Sequence, residues 1–169
     1  GLAAAGIGSD TGGSVRIPSA WNDLVGLKTT HGRLSVTGVV ALCAQFDTVG
    51  PLCRSVEDAG LLLAILEGSK PADLAGASLK GARFAIIDTL TMDSLRDAPR
   101  AAFESAVQRL QVAGATVTHI QMPEIHDAFD QAFNLYAADS YGHWRDLVDA
   151  HPEKMFPQIL ERVRGGQTI

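Results

Sequence analysis

The sequence has 169 residues, 46% hydrophobic and 20% charged, with a formal net charge of −5. That size and balance suit one globular domain with a substantial core and exclude a disordered chain. The acidic balance leaves no electrostatic footprint for direct nucleic-acid binding, and no run of about 18 apolar residues offers a membrane span.

The chain opens without methionine on a Gly/Ala run that has no basic leader and reads as the middle of a buried element. RGGQTI at the other end closes no element either, so the sequence reads as a piece of something longer. Residues 1–50 are rich in glycine and short β-prone runs, and VGLKTT (25–30) predicts a strand, with turns at Gly32 and Gly38. Cys43 and Cys53 are too few for a disulfide scaffold and read as reduced thiols of a cytoplasmic protein.

Ser55, with Asp58 three residues on, imitates a capping box, and VEDAGLLLAILEG then predicts a helix stopped by Gly68. SKPADLAGAS (69–78) is small, polar and linker-like. Beyond it, ARFAIID (82–88) predicts a strand and 98–112 a helix with Phe103, Val107 and Leu110 on one face and Gly114 as its cap. ATVTHI (115–120) predicts a second strand. Strand, helix, strand at this spacing is a βαβ crossover and implies a parallel pair. Helices over about 124–150 and 154–165 complete an α/β chain.

Thr11-Gly12-Gly13-Ser14 is the segment with chemistry in it. A G-x-G-x-x-G fingerprint fails at Thr11, and a P-loop fails because Ser14 and Val15 follow the last glycine instead of lysine. Two readings stay open. Glycines let successive N–H groups converge on one point, which serves a structural turn or an oxyanion beside a nucleophilic serine. The G-x-S-x-G elbow is absent because Arg16 holds its last position, and Ile17 rules out S-x-x-K. The histidines at 31, 119, 126, 143 and 151 have no metal-ligand spacing, so no metal and no cofactor are expected.

GSDTGGSVRIPSA, VGLKTTHGRLSVTG and FDTVGPLCRSVEDAGLLLAILEG together resemble the amidase signature family, densely over residues 1–68. LKGARFAI and AADSYGHWRDLVDAHPEKMFPQILERVRGG resemble later parts of its members. The resemblance implies a mixed β-sheet flanked by helices on both faces, incomplete here. Residues 1–169 would be part of a single domain: a core over 1–68, the linker-like 69–78, and a helical and βαβ portion over 79–169.

The resemblance further implies hydrolysis of linear carboxamides by a Ser-Ser-Lys triad. Ser14 would be the nucleophile, and the N–H groups of Thr11, Gly12, Gly13 and Ser14 would form the oxyanion hole. Asp10 and Arg16 would hold the loop in shape as a mutually satisfied pair. The lysine base and bridging serine lie upstream of Gly1 in the family pattern, so the isolated chain is expected to be inert. Lys28 falls in a structural GLKPT-type segment. Strand edges and apolar faces are expected to be left uncovered.

The chain departs from the family at Asn22, Asp23, Thr29, Ala41 and Gln45. FDTVGP stands where the glutamyl-tRNA amidotransferase A subunits read LDQIGP, which favours a free-standing amidase over that amidotransferase component, and an inert scaffold relative stays open as a third reading. The implied partner is a small amide, without nucleic acid or membrane, and with a homodimer left open. Tyr136, Tyr141, His143 and Trp144 could border a substrate pocket, as the equivalent region does in some relatives, but their helical spacing favours core packing.

Overall fold

A computed structural model describes residues 2–88 and 90–169, apart from the side chain of Thr91. The chain divides into two compact units, Gly1–Asp73 with Asn134–Ile169, and Leu74–Phe133. The chain passes from one unit to the other twice, after Asp73 within the linker-like 69–78 segment and after Phe133 within a helix.

The first unit is built on a three-stranded antiparallel sheet in the order β1-β3-β2, with β1 at Gly6–Asp10, β2 at Val25–Gly26 and β3 at Thr48–Cys53. The register pairs Gly6 with Leu52 and Asp10 with Thr48, so the last residue of β1 lies beside the first of β3. The strand expected over 25–30 shrinks to two residues. Beyond Gly26, Leu27 donates its N–H to the Pro51 carbonyl, but proline has no N–H to return. Gly50 admits the Leu27 carbonyl so closely that a Cβ there would lie 1.9 Å from the oxygen.

α1 (Arg16–Trp21) follows the glycine loop and has no counterpart among the sequence expectations. α2 (Val56–Glu67) agrees with them in its caps: Ser55 Oγ accepts the Asp58 N–H, and Gly68 is left-handed at φ 65°. The opening Gly/Ala run departs from expectation, because residues 2–4 are exposed and β1 begins only at Gly6. Side chains this small bury little apolar area unless another element packs over them. β1 is a sheet edge, and Ile7 and Trp21 are exposed.

In the second unit, β4 (Arg83–Ile87) and β5 (Thr116–Ile120) pair in parallel, Arg83 opposite Thr116. They are joined through a short α3 (Leu90–Asp93) and the longer α4 (Asp97–Val112), as the βαβ pattern predicts. Phe103, Val107 and Leu110 of α4 face Phe84, Ile86 and Val117 across a cleft of about 280 Å3. α5 (Glu124–Ala150) starts in this unit and ends in the first, where α6 (Pro157–Gly165) follows a single 3-10 turn at Pro152–Lys154. No helix among the described residues is long and apolar enough to cross a membrane.

A methyl group at position 50 has no room beside the Leu27 carbonyl, whereas a Cβ added at Gly60 in α2 would meet nothing within 4 Å. Gly50→Ala is expected to destabilise the fold by about 2–4 kcal/mol. Gly60→Ala is expected to leave it unchanged or stabilise it by up to about 1 kcal/mol through helix propensity. Urea unfolding of the two variants tests the contrast.

Candidate active site

The β1–α1 loop is wound around one carboxylate. Asp10 closes β1 with its side chain fully buried. Its Oδ1 accepts the Gly13 N–H at 2.8 Å, and its Oδ2 accepts the N–H groups of Val15 at 3.1 Å and Arg16 at 3.3 Å. The Arg16 guanidinium closes the arrangement from the other side, Nε to Oδ2 at 3.1 Å and Nη2 to Oδ1 at 3.0 Å. Such a bidentate pair is the geometry that makes a buried carboxylate tolerable.

Burial alone would push the Asp10 carboxyl up. The Arg16 side chain and the N–H groups of Val15 and Arg16 outweigh it and lower the group from 3.8 to about 2. Arg16 in turn is raised by its bond to Asp10.

The sequence places Ser14 between the anchored residues, and the structure leaves it exposed, just before α1. Gly13 beside it has φ 139°, and a Cβ there would come within 2.5 Å of Ile17 Cδ1, so the turn requires glycine. The four N–H groups expected to converge are not equivalent. That of Gly13 is donated inward to Asp10, while those of Thr11, Gly12 and Ser14 have no acceptor among the described residues.

A second buried carboxylate holds the start of the loop, and sequence reasoning gives it no role. Asp47, 4% exposed, accepts the Thr11 hydroxyl on Oδ1 and the Leu42 N–H on Oδ2 at 2.9 Å. The Cys43 N–H is shared between its two oxygens. Thr48, the next residue, donates its hydroxyl to the Asp10 main-chain oxygen at 2.8 Å. The only sequence signal for this layer is the Asp-Thr of FDTVGP.

α5 supplies the remaining walls. Tyr136 lies against Gly12, whose Cβ would meet its ring at 3.4 Å, and it stacks edge-on with Phe46, ring centroids 5.3 Å apart. Trp144 donates its indole N–H to the Ala41 carbonyl at 2.7 Å, and Asp139 accepts the Ala44 N–H at 2.7 Å. Tyr136 therefore touches the loop, beyond the packing role expected of it. Tyr141 reaches Asp149 instead, and His143 adjoins Trp144. Further along α5, Trp144, Leu147 and Val148 join Leu42, Met155 and Val163 around an apolar cavity of about 430 Å3.

Cys43, Cys53 and Lys28 are each held in a state that does not suit them as nucleophile or base. Burial, with Asp139 alongside, pushes the Cys43 thiol up to about 11, and burial also raises Cys53, so both stay protonated near neutral pH. Lys28 Nζ donates to the neighbouring Thr29 carbonyl at 2.7 Å. Ser14 is the exposed hydroxyl at the loop with outward N–H groups.

Comparison with known proteins gives a consistent picture. The family model described as Amidase matches residues 1–167. The chain is 35% identical over 173 residues to the A subunit of glutamyl-tRNA(Gln) amidotransferase from Salinibacter ruber, covering 88% of this chain and 34% of that protein. It is also 35% identical to 2-amino-5-chloromuconic acid deaminase of Comamonas testosteroni, covering 100% of this chain and 37% of that one. A crystal structure of an amidase superposes with a TM-score of 0.87 at 30% identity, over 98% of this chain and 37% of that one. The chain thus spans about a third of the length of these proteins.

The depressed Asp10 carboxyl makes loop stability acid-sensitive. A group lowered on folding stabilises above its unfolded value and loses that contribution as pH falls through the folded value, here from about 4 to about 2. The shift corresponds to about 2 kcal/mol at most, since Arg16 is half exposed and solvent screens its share. The stability gap between wild type and Asp10→Asn, followed by urea unfolding, is expected to close by about that amount between pH 5 and pH 2. A gap constant across that range would show that Asp10 is not held in this way.

Proposed function

The chain belongs to the amidase family, and on that premise we propose that Ser14 is the nucleophile of an acyl-transfer reaction cleaving linear carboxamides. The observation that carries this reading is the partition of the loop's N–H groups. Those of Gly13, Val15 and Arg16 turn in to Asp10, and those of Thr11, Gly12 and Ser14 are left to an outside acceptor. Preorganised donors of this kind stabilise the oxyanion that forms when a hydroxyl attacks an amide carbonyl, and one such donor is worth about 100- to 1,000-fold in rate. Ser14 Oγ bonds to the carbonyl carbon, the C–N bond breaks as the amine leaves protonated, and water resolves the acyl-enzyme.

The proton of Ser14 needs an acceptor, because a serine hydroxyl is a weak nucleophile alone. Asp10 is too weak a base and its lone pairs are occupied; Lys28 is engaged with Thr29. The family resemblance assigns this role to a lysine acting through a bridging serine, both outside residues 1–169. On this reading residues 1–169 alone turn over no amide, because the lysine and bridging serine lie outside them, whereas the whole protein cleaves amides in the cytoplasm.

A second reading is an amidotransferase A subunit, favoured by the 35% identity to the Salinibacter ruber protein. FDTVGP in place of LDQIGP inclines the assignment to a free-standing enzyme. Copurification of stoichiometric partner proteins with the protein expressed from its native gene would favour the amidotransferase.

Treating that protein with a fluorophosphonate and mapping the adduct is expected to label Ser14, and Ser14→Ala is expected to abolish both labelling and amide turnover. Labelling elsewhere, or amidase activity that survives in Ser14→Ala, would sink the assignment.

A further inference from the structure

We propose that Asp47 is a positioning residue for the Ser14 loop, acting through the side chain of Thr11. The proposal rests on the reading of Ser14 as nucleophile. Asp47 touches no reacting atom. It lies 36 residues beyond Thr11 in sequence and is buried at the point where two loops meet.

Three donors converge on its carboxylate: the Thr11 hydroxyl from the nucleophile loop, and the N–H groups of Leu42 and Cys43 from the loop that precedes β3. Among the described residues no Lys, Arg or His lies within ion-pair reach of it, unlike Asp10, which has Arg16. A buried carboxylate without a cation is costly, and it is retained only where its acceptor capacity is used.

Its geometry defines that use. Asp10 anchors Gly13, Val15 and Arg16, the later part of the loop, and its side chain makes no bond to Thr11 or Gly12. Thr11 and Gly12 nevertheless carry two of the three outward N–H groups. Thr11 is held at its side chain by Asp47, and Tyr136 lies over its carbonyl at 3.5 Å and against Gly12. Asp47 holds the Thr11 side chain and with it the Cα, and the Tyr136 hydroxyl on the Thr11 carbonyl restrains the peptide that also carries the Gly12 N–H. Donors aimed within a few tenths of an ångström are what separates a working oxyanion site from a loose one.

The adjacent Leu42 and Cys43 N–H groups bring the second loop into register at the same carboxylate. That loop is tied to α5 through Ala41–Trp144 and Ala44–Asp139. Asp47 therefore couples α5 to the nucleophile loop through side-chain contacts, independently of the Asp10 anchor.

The test uses the protein expressed from its native gene and a fluorophosphonate probe. In that reaction the Ser14 Oγ–P bond forms, fluoride leaves and the hydroxyl proton passes to the base. The inactivation constants kinact and KI are measured for wild type, Thr11→Val, Thr11→Ser, Asp47→Ala and the Thr11→Val/Asp47→Ala double variant. Thr11→Val and Asp47→Ala are each expected to lower kinact about 10- to 100-fold with KI within about twofold. The double variant is expected to be no slower than Asp47→Ala alone, and Thr11→Ser to react near the wild-type rate.

Wild-type kinact in Thr11→Val, effects that multiply in the double variant, or a loss carried by KI would each overturn the proposal. Where Asp47→Ala does not fold by circular dichroism, Thr11→Val and Thr11→Ser decide alone. A wild-type protein that is not labelled at Ser14 removes the nucleophile reading and this proposal with it. Labelled wild type with an unaltered Thr11→Val leaves the nucleophile in place and overturns only the role of Asp47.

Discussion

The buried carboxylate of Asp10 is the constraint on which the rest of the loop depends. An isolated charge in that position would be prohibitively costly, so every lone pair must be met. The chain meets them by curling back over its own side chain: Gly13, Val15 and Arg16 N–H groups point in, and the Arg16 guanidinium caps the pair. The N–H groups of Thr11, Gly12 and Ser14 take no part in this anchor and have no acceptor among the described residues. The positive φ of Gly13 is the conformational cost of that curl, and glycine is the residue that bears it.

This arrangement stands on long-range closure. The main-chain oxygen of Asp10 is held by Thr48, the Thr11 hydroxyl by Asp47, and the Gly12 backbone lies under Tyr136 from the far end of the sequence. β3 carries Thr48 at its first position and pairs with β1 in a register that sets Asp10 opposite it. A slip of one residue would turn the Asp10 side chain to the other face of the sheet and dismantle the loop. Gly50, which lets β3 approach the Leu27 carbonyl, therefore serves the site although it touches none of the site residues.

The elements legible in the sequence are those whose signals are local. α2 is readable from Ser55, Asp58 and Gly68, and the structure uses the Ser55 side chain and Gly68 as caps, with Asp58 contributing its main-chain N–H. β4, α4 and β5 are readable from apolar runs separated by one amphipathic stretch, and their parallel pairing follows from the spacing. β1, β3 and α1 escape delimitation, because GIGSD and RIPSAW have neither clean alternation nor a helical stripe; neighbours far away in sequence decide their states. The site divides along the same line. Asp10 and Arg16 are six residues apart, so their pairing can be argued from chemistry. Asp47 and Tyr136 meet the loop only through the fold, and FDTVGP by itself does not say what its aspartate holds.

The electrostatics of the loop also explain why its scaffold and its proposed chemistry are carried by different residues. A carboxylate directly beneath an oxyanion site would oppose the negative charge that develops there. The bidentate Arg16 offsets that opposition by pairing with both carboxylate oxygens. The same pairing lowers the Asp10 carboxyl to about 2, which leaves it useless as a proton acceptor near neutral pH. Burial raises both cysteine thiols, which disqualifies them as thiolates. Ser14 carries an exposed hydroxyl in this loop, beside N–H groups that have no acceptor among the described residues. A loop built this way stabilises charge without moving protons, so the proton must be handled by a group that takes no part in shaping the loop.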